Sequence, residues 1–362
     1  MKKVFIAATK QNDGKTTVSL GLIANFKERF KNVGFIKPIG QRYLEEDGVK
    51  IDEDSLLIEE VCGIRCGLKD MSPVAVERGF TEKYLAHPDS RCITSQIKQA
   101  FFRVSKGQDL VIIEGTGHAG VGSVFDHSNA QVAKILGSKV IIISSGGIGR
   151  PIDEIVLNKA LFEKEGVKVL GVIINKVLPQ KYDKISQLVR KGLRRKGIKV
   201  LGILPYEPLL SCFSVWQILQ ETNYVLLCGR KAINNYVLRV IVGAMQPQDA
   251  LRYIIDGSLI ITPGDREDII KAVLEYCGNN SENGRRISGI ILTGDMVPGV
   301  ELVGSLDSVG IPVLVAKEDT YTVASAIHDL TIKIRPQDTE KINRIISLVR
   351  DNVDFEVILR GM

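Results

Sequence analysis

The sequence predicts an α/β protein of two domains, each built around a mostly parallel sheet. The chain has 362 residues, which is enough for two domains of ordinary size. Its apolar runs have the length of strands, and they alternate with segments that read as helices. Apolar residues make up 44% and charged residues 25%, as in a soluble globular protein with a full-sized core. Such alternation implies right-handed crossovers between parallel strands.

The N-terminal part of the chain contains segments that are apolar along their whole length, which is typical of strands buried on both faces. The predicted strands are Val4–Ala8, Val33–Lys37, Leu110–Ile113, Val140–Ser144, Val169–Ile174 and Val200–Leu204. The predicted helices between them are Thr16–Phe30, Thr94–Val104, Ala130–Leu136, Asp153–Glu165 and Lys181–Arg195. These elements predict a three-layer domain over residues 1–207.

A second, smaller α/β domain is predicted over residues 208–362. Pro205–Leu210 has two prolines and no periodicity, so it is expected to begin the linker. The predicted strands are Ser258–Ile261, Ile287–Leu292 and Pro312–Ala316. The predicted helices are Pro247–Ile254, Glu267–Tyr276, Val300–Ser308, Tyr321–Ile327 and Asp338–Arg350. The polar stretch Cys277–Arg286, rich in Gly and Asn, predicts a loop.

The net charge of +6 is modest, and part of it lies in one basic run. The run consists of Arg190, Lys191, Arg194, Arg195, Lys196 and Lys199. It lacks interleaved aromatic residues, so we interpret it as the solvated face of a helix and expect no nucleic-acid partner.

The cysteines and the lengths of the apolar runs indicate the cellular compartment in which the protein is expected. Six cysteines without a signal peptide favour a reducing, cytoplasmic location. Cys62 and Cys66 are spaced C-x3-C with no second pair nearby, so they are expected to be packed side chains instead of zinc ligands. No apolar run approaches the roughly 20 residues of a membrane span, so we expect no membrane association.

The segment after the first strand has the residue types of a phosphate-binding loop. It reads Ala8-Thr9-Lys10-Gln11-Asn12-Asp13-Gly14-Lys15-Thr16-Thr17. An apolar strand precedes it and a helix follows, which is the context this motif requires. Main-chain N–H groups at the helix N-terminus would face the phosphates, and Gly14 would allow close approach. We expect the nucleotide to contact Asn12, Asp13, Gly14, Lys15, Thr16 and Thr17.

Two side chains of this loop have distinct expected roles in binding Mg-ATP. Lys15 would reach the β- and γ-phosphates and act in catalysis, and the Thr16 hydroxyl would ligate Mg²⁺.

One position departs from the usual G-x4-G-K-T pattern, because Thr9 stands where the first glycine is expected. Lys10 instead lies four residues before Gly14. This resembles the deviant loop K-G-G-x-G-K-T of the dimeric P-loop ATPases that include partition and nitrogenase-iron-type proteins. The resemblance implies a homodimer in which Lys10 reaches the nucleotide across the interface as a catalytic residue. The alternative is that Lys10 is an exposed loop lysine.

Other strands end in residues that would complete such a site. Leu110–Glu114 ends in a carboxylate that can hold Mg²⁺, and a second strand ends in Lys37, at the edge of the sheet where ligands bind. Asp52 and Asp54 precede a helix, where they would supply a second metal ligand or cap the helix. Asn175 ends a further strand, and an amide suits the edge of a purine.

These residues together resemble dethiobiotin synthetase. The matching features are the Gly-Lys-Thr loop, Lys37-Pro38, Asp54-Ser55-Leu56, Glu114-Gly115-Thr116-Gly117 and Asn175, over residues 1–207. The resemblance implies that Lys15 and Thr16 hold ATP and Mg²⁺, and that Asp54 and Glu114 complete the metal site. It also implies that Lys37 binds a carbamate or phosphorylated intermediate and that Asn175 meets adenine.

The second half looks like a DRTGG domain. The segments that carry this resemblance are Val242–Met245, Ala250–Tyr253, Thr262-Pro263-Gly264-Asp265-Arg266, Ile311–Val313 and Asp319-Thr320. A dethiobiotin-synthetase-like domain followed by a DRTGG domain is similar to the N-terminal region of long phosphate acetyltransferases, which Ser145–Pro151 also fits. Two departures limit this: Glu267-Asp268 replaces the Thr-Gly-Gly, and the acetyltransferase catalytic domain is not found. From chemistry alone, Asp265 is expected to cap a helix.

Two functions follow as hypotheses. The first is a regulatory or nucleotide-sensing protein that binds Mg-ATP and acts on its second domain or on a partner, such as an enzyme of acyl metabolism. The second is an ATP-dependent carboxylase or amidoligase, in which Lys15, Lys37, Asp54 and Glu114 would support phosphoryl transfer. His118 follows the Gly115–Gly117 turn and would touch an acceptor, or be a surface histidine. Asn175-Lys176 echoes the guanine motif N-K-x-D, but residue 178 is Leu, so ATP is expected.

Overall fold

A computed structural model describes residues 1–46, 48–279, 286–330 and 332–362 of the chain. The chain forms two compact units. The first unit contains residues 1–206 and 334–362, and the second unit contains residues 207–333. The second unit is therefore an insertion in the sequence of the first.

The strands of the described residues are short, and the longest is β9. In chain order they are β1 Lys2–Ala8, β2 Val33–Ile36, β3 Ile39–Gly40, β4 Tyr43–Glu46, β5 Val49–Asp52, β6 Val74–Ala75, β7 Leu110–Glu114, β8 Lys139–Ser145, β9 Val169–Val177, β10 Val200–Pro205, β11 Phe213–Ser214, β12 Val225–Cys228, β13 Tyr236–Val237, β14 Arg239–Val242, β15 Ser258–Pro263, β16 Gly289–Thr293 and β17 Val313–Val315.

The helices of the described residues connect these strands. In chain order they are α1 Lys15–Phe26, α2 Glu53–Cys62, α3 Leu68–Met71, α4 Phe80–Ala86, α5 Ser90–Ser105, α6 Asn129–Ile135, α7 Arg150–Lys164, α8 Tyr182–Arg194, α9 Val215–Glu221, α10 Pro247–Leu251, α11 Glu267–Asn279, α12 Val300–Val309, α13 Thr320–His328, α14 Thr339–Asn352 and α15 Phe355–Gly361.

The first unit is built on a six-stranded sheet of order β10-β9-β8-β1-β7-β2. All its strand pairs are parallel. Every residue of β2 and β7 is buried, as is β1 from Val4 to Ala8, because helices cover both faces. The chain places β2 and β7 on one side of β1 and then β8 on the other, so the winding reverses at β1. Ligands of open α/β sheets bind at such a reversal, beyond the carboxyl ends of the strands.

The C-terminal helix α14 belongs to the first unit, where it packs on α1. A Cβ atom added at Gly21 of α1 would overlap the side chain of Val349, so glycine permits this close approach. The Asn25 amide donates to the Ile346 carbonyl at 3.1 Å across the same contact. The sequence-based boundary, which assigned residues 334–362 to the second domain, differs from this division. The physical reason is that the apolar face of α14 is buried against α1 and β10.

The second unit has a five-stranded sheet of order β12-β17-β16-β15-β14. Strands β14 to β17 are parallel, and β12 pairs antiparallel with β17. One face carries an apolar cluster that includes Ile269 and Ile270 of α11. The other face carries a cluster that includes Val215 of α9 and Val323 of α13. The three-layer α/β arrangement is therefore repeated in this smaller unit.

Most of the predicted elements are present, with shifted ends. The first helix ends at Phe26 instead of Phe30. Of the predicted loop Cys277–Arg286, residues 277–279 form the end of α11, and residues 280–285 lie outside the described part of the chain. The predicted linker contains the end of β10 and a short 3-10 helix, Pro208–Ser211.

The predictions about surface and cysteines can be compared with the structure directly. The six residues of the basic run are exposed on α8 and in the turn after it. All six cysteines are free; Cys62 is buried and Cys66 is half-buried. Among the described residues, no helix has the length and apolarity that a membrane crossing requires.

The contact between α1 and α14 predicts the effect of one added methyl group. We expect Gly21→Ala to lower the free energy of unfolding of the first unit by about 1–3 kcal/mol, because the new Cβ overpacks against Val349. Urea denaturation followed by circular dichroism measures this change.

The matched control is Gly304→Ala in α12, where an added Cβ meets no atom within 4 Å. That substitution should leave stability unchanged or raise it, since alanine favours a helix over glycine. Adding Val349→Ala to Gly21→Ala should restore part of the loss. Equal effects of Gly21→Ala and Gly304→Ala would contradict the close packing of α14 on α1.

Candidate nucleotide-binding site

The loop between β1 and α1 turns sharply over residues 9–14. Gly14 adopts a left-handed conformation with φ of 96°, and Asn12 has φ of 65°. Left-handed backbone strains most residues but not glycine. A Cβ atom at Gly14 would also collide with the amide nitrogen of Asn175. Both conformation and space therefore require glycine at this position.

The N-terminus of α1 is uncapped. Gly14 occupies the N-cap position and offers no side chain, and the first turn contains no acidic residue. The first N–H groups of a helix have no partner within the helix itself. They carry the positive end of the helix dipole, so they form a ready site for an anion. The predicted phosphate loop thus leads into a helix start at which no side chain caps the first N–H groups.

A buried carboxylate lies within the loop. Asp13 Oδ2 accepts hydrogen bonds from the Thr9 hydroxyl at 2.6 Å and from the main-chain N–H of Lys10 at 3.0 Å. The Thr9 hydroxyl also lies 3.1 Å from the Ser144 hydroxyl at the end of β8. Burial raises the pKa of Asp13, while the two hydrogen bonds oppose that shift. Thr9, which replaces the expected glycine, thus holds the start of the loop in place through the hydrogen bonds of its hydroxyl group.

The end of β9 holds the loop from another side. The Asn175 side-chain amide donates to the carbonyl oxygen of Asp13 at 2.9 Å. The Lys176 ammonium donates to the carbonyl oxygen of Asn12 at 2.8 Å. The Asn175 side-chain oxygen accepts from the N–H of Lys176 at 2.9 Å. Asn175 is therefore bonded to the loop at which the sequence predicted a nucleotide; its contact with a purine stays a prediction.

Lys37, at the end of β2, lies between two carboxylates. Its ammonium is 2.8 Å from Asp52 Oδ1 and also donates to Asp54 Oδ2. Burial opposes the charge of Lys37, but Asp54 and Asp52 together raise its pKa above the usual value. Burial also acts on Asp54, yet the Lys37 ammonium keeps the pKa of that carboxyl below its ordinary value. Asp52 in addition accepts from the N–H of Asp54 at 3.0 Å and so caps α2.

Glu114, at the end of β7, faces the start of α1. The Thr16 hydroxyl donates to Glu114 Oε1 at 3.0 Å. Glu114 Oε2 is buried and has no hydrogen-bond partner among the described residues. Burial, with the nearby charge of Asp54, raises the pKa of Glu114 to about 7. The Lys15 side chain is also buried here, and desolvation lowers its pKa while Glu114 opposes that shift.

The predicted magnesium ligands Thr16, Asp54 and Glu114 are brought together by these contacts. The unpartnered Glu114 oxygen is a ligand of the type that Mg²⁺ prefers. No group of three or more His, Cys, Asp or Glu residues in the described ranges is arranged to enclose a metal. Mg²⁺ is usually held by one or two carboxylates together with phosphate oxygens and water, so the residues present fit it.

Two other predicted residues lie apart from this cluster. His118 is exposed, and its Nδ1 accepts from the N–H of Gly120 at 3.2 Å. Lys10 is partly exposed and forms no ion pair with a described residue.

The predicted helix cap at Asp265, in the second unit, is not found. Helix α11 begins at Glu267, so Arg266 and not Asp265 occupies its N-cap position. Arg266 instead pairs with Asp268 at 2.8 Å and donates to the Met245 carbonyl.

Sequence reasoning did not identify three residues that support the site. Ser144 and Lys176 contact the loop as described above. Asn158 of α7 donates to the carbonyl of Thr9, at the start of the loop, at 3.4 Å and to the carbonyl of Glu154 at 2.8 Å. It also accepts from the N–H of Ala119 at 2.8 Å. Only Lys176 had a sequence signal, because it lies in the Asn-Lys pair at a strand end.

Comparison with known families agrees with this architecture. Residues 2–212 match the AAA domain family. Residues 217–330 match the DRTGG domain family. The predicted resemblance to a dethiobiotin-synthetase-like P-loop domain followed by a DRTGG domain is confirmed.

The chain also resembles curated proteins over nearly its whole length. It is 27% identical over 370 residues to the phosphate acetyltransferase of Pseudomonas putida, covering 98% of this chain and 51% of that protein. It is 27% identical over 203 residues to the ATP-dependent dethiobiotin synthetase of Methanococcus vannielii, covering 56% of this chain and 92% of that one. The chain thus spans about half the length of the acetyltransferases it matches.

Among solved structures, the chain matches the MinD cell division protein of Aquifex aeolicus. It is 15% identical, with a TM-score of 0.37, and the similarity covers 58% of this chain and 85% of that one.

The buried ion pairs of Lys37 predict a pH-dependent loss of stability. We expect Lys37→Ala to lower the free energy of unfolding by about 3 kcal/mol near neutral pH, because the buried Asp52 and the half-buried Asp54 would lose their counterion. Asp54 has a lowered pKa in the native chain, so its stabilisation is present above its ordinary pKa and is lost in acid. The difference between the two proteins should therefore persist down to about pH 4, the ordinary pKa of an aspartate, and shrink below it.

Chemical denaturation at a series of pH values measures this difference. Lys50→Ala is the matched control, because Lys50 pairs with Glu77 at 2.7 Å on the surface. Exposed pairs contribute little to stability, so no measurable change is expected there. A similar small effect for both lysines, independent of pH, would refute the assigned role of Lys37.

Proposed function

The chain belongs to the AAA domain family and carries a DRTGG domain, and we propose that it binds Mg-ATP at residues 9–17 and acts as a nucleotide-responsive regulatory protein. The observation that carries this proposal is the uncapped N-terminus of α1, with Lys15 buried beside it. A helix start without a side-chain cap or an acidic first turn leaves N–H donors for an anion. The ammonium of Lys15 would meet the outer phosphates.

Magnesium is proposed to bind through Thr16, Asp54 and Glu114. The buried, unpartnered Glu114 oxygen supports this assignment. The ion would neutralise phosphate charge and bridge the nucleotide to the protein. Thr16 and Asp54 are bonded within the protein as described, to Glu114 and Lys37 respectively, so these bonds would exchange for metal contacts.

A regulatory role is favoured over catalysis by the state of Lys37. Its ammonium is already bonded to two carboxylates, and its side chain is buried. When Asp54 turns to the metal, Asp52 would still hold the ammonium, so Lys37 is not free to receive a carbamate or an acyl phosphate. The alternative, an ATP-dependent carboxylase or amidoligase, draws support from the similarity to dethiobiotin synthetase over 56% of the chain. A cytoplasmic enzyme of acyl metabolism is the proposed partner, from the similarity to phosphate acetyltransferases.

Calorimetric titration with ATP tests the proposal. We expect the wild-type chain to bind ATP with Mg²⁺, and Lys15→Ala to abolish binding while its thermal unfolding stays cooperative. Lys15 is buried with a lowered pKa, so its removal relieves desolvation and should not unfold the chain. Lys50→Ala is the matched lysine control and should bind as the wild type does, because Lys50 lies on a surface hairpin. Glu114→Gln should weaken binding with Mg²⁺ more than in EDTA.

The same preparation separates the two functions. Phosphate release should stay slow and should not respond to small carboxylic acids or amines if the chain is regulatory. Release that rises with one acceptor, together with a covalent product, would establish the ligase alternative. Unchanged ATP affinity in Lys15→Ala would overturn the assignment of the loop.

Lys10 leads to a prediction about assembly. We expect a homodimer whose association strengthens with Mg-ATP, by analogy with loops that carry an early lysine. Lys10→Ala should reduce this strengthening and leave the fold unchanged, because Lys10 forms no ion pair with a described residue. Sedimentation velocity with and without nucleotide measures it. A strict monomer under both conditions would contradict the dimer, and an unaltered dimer in Lys10→Ala would contradict the role of this lysine.

A further inference from the structure

We propose that Asn175 and Lys176 are positioning residues that orient the peptide groups of the phosphate loop and so strengthen its binding of the triphosphate part of the ligand. The inference rests on the proposed nucleotide binding and deepens it. It concerns two consecutive residues at the end of β9 and two consecutive carbonyl groups of the loop, those of Asn12 and Asp13.

The geometry of the peptide group determines the direction in which each main-chain N–H of the loop points. A trans peptide is planar, and its C=O and N–H groups point to opposite sides. The described chain contains no cis peptide bond. Lys176 fixes the carbonyl of Asn12, so the N–H of Asp13, in the same peptide, must point away from β9. Asn175 fixes the carbonyl of Asp13 and in the same way directs the N–H of Gly14 away from β9.

These two N–H groups adjoin the uncapped start of α1. Both bonds therefore add oriented donors to those that the helix already supplies. Backbone donors that are directed before the ligand arrives bind it without a further cost of ordering. The two residues of β9 provide this orientation from outside the loop.

Asn175 is well placed for this role. Its side chain is 4% exposed. Its amide nitrogen bonds to the Asp13 carbonyl, and its amide oxygen accepts the N–H of Lys176. The same amide nitrogen lies where a Cβ of residue 14 would be, so it packs directly on the back of Gly14.

The backbone conformation of Lys176 supports its bond to the carbonyl of Asn12. It is exposed, and its backbone is left-handed with φ of 59°. That conformation is uncommon for a residue other than glycine and marks a position that its surroundings enforce. The bond from Asn175 to the N–H of Lys176 helps to hold it there.

Comparison of two ligands tests the inference: Mg-ATP and magnesium tripolyphosphate, which has no base. Each is measured by competition against a fluorescent ATP analogue. We expect Asn175→Ala and Lys176→Met each to weaken both ligands about tenfold, the usual effect of losing one or two hydrogen bonds. Lys176→Arg keeps a donor and should stay within about threefold of the wild type.

Lys184→Met is the matched control, since Lys184 is exposed on α8, and it should bind both ligands normally. Lys176 is itself exposed, so Lys176→Met tests the proposal even if Asn175→Ala unfolds. Asn175 is uncharged, so its effect on tripolyphosphate does not arise from lost electrostatic attraction.

Three results would overturn the inference while leaving nucleotide binding intact. The first is that Asn175→Ala weakens ATP and leaves tripolyphosphate unchanged, which would limit the role of Asn175 to contact with the base. The second is that Lys176→Met binds both ligands as the wild type does. The third is that tripolyphosphate does not compete with ATP in the wild-type chain. A wild-type chain that binds no ATP would instead refute the proposed function itself.

Discussion

The open N-terminus of α1 is the constraint on which the site depends. The helix begins at the carboxyl edge of a buried parallel sheet, with Gly14 as its N-cap and no side chain to satisfy its first N–H groups. Unsatisfied donors cost free energy when they are shielded from water. Other helices of the same unit avoid this cost, as α5 does with Asp89 and α6 with Ser128. Other uncapped helices of the described part of this unit, such as α7 and α8, have an acidic residue in the first turn, and α1 has none. A helix start with neither a cap nor an acidic first turn fits a helix that is completed by an anion.

The charged side chains near the start of α1 also suit the binding of a charged ligand. Lys37 is compensated by Asp52 and Asp54, and the raised pKa of Glu114 leaves this carboxyl partly protonated near neutral pH. Buried ion pairs are seldom a source of net stability, because desolvation offsets their attraction. Their concentration at the ends of β2 and β7 is therefore better explained by binding than by folding. A phosphate chain with a divalent cation brings charges of both signs that such a cluster can receive.

The local sequence pattern was sufficient to predict the buried strands and the phosphate loop. Strands such as β7 and β16 are uninterrupted apolar runs, and the phosphate loop has its own residue signature. The edge strand β14 was missed because only Ile241 among its residues is buried. The return of α14 to the first unit was missed because it depends on a long-range contact, Gly21 with Val349, that no local pattern records. Ser144 and Asn158 were missed for the same reason, because only the folded chain brings them close to the loop.

The insertion of the second unit gives the regulatory proposal a physical basis. Its chain leaves the first unit after β10 and re-enters it just before α14. These two elements are themselves in contact, and α14 also packs on α1, the helix that begins with Lys15. Both of its connections therefore lead into elements that touch, directly or through α14, the helix proposed to bind phosphate. The regulatory proposal therefore draws its support from chain connectivity, because β10 and α14 flank the second unit in the sequence.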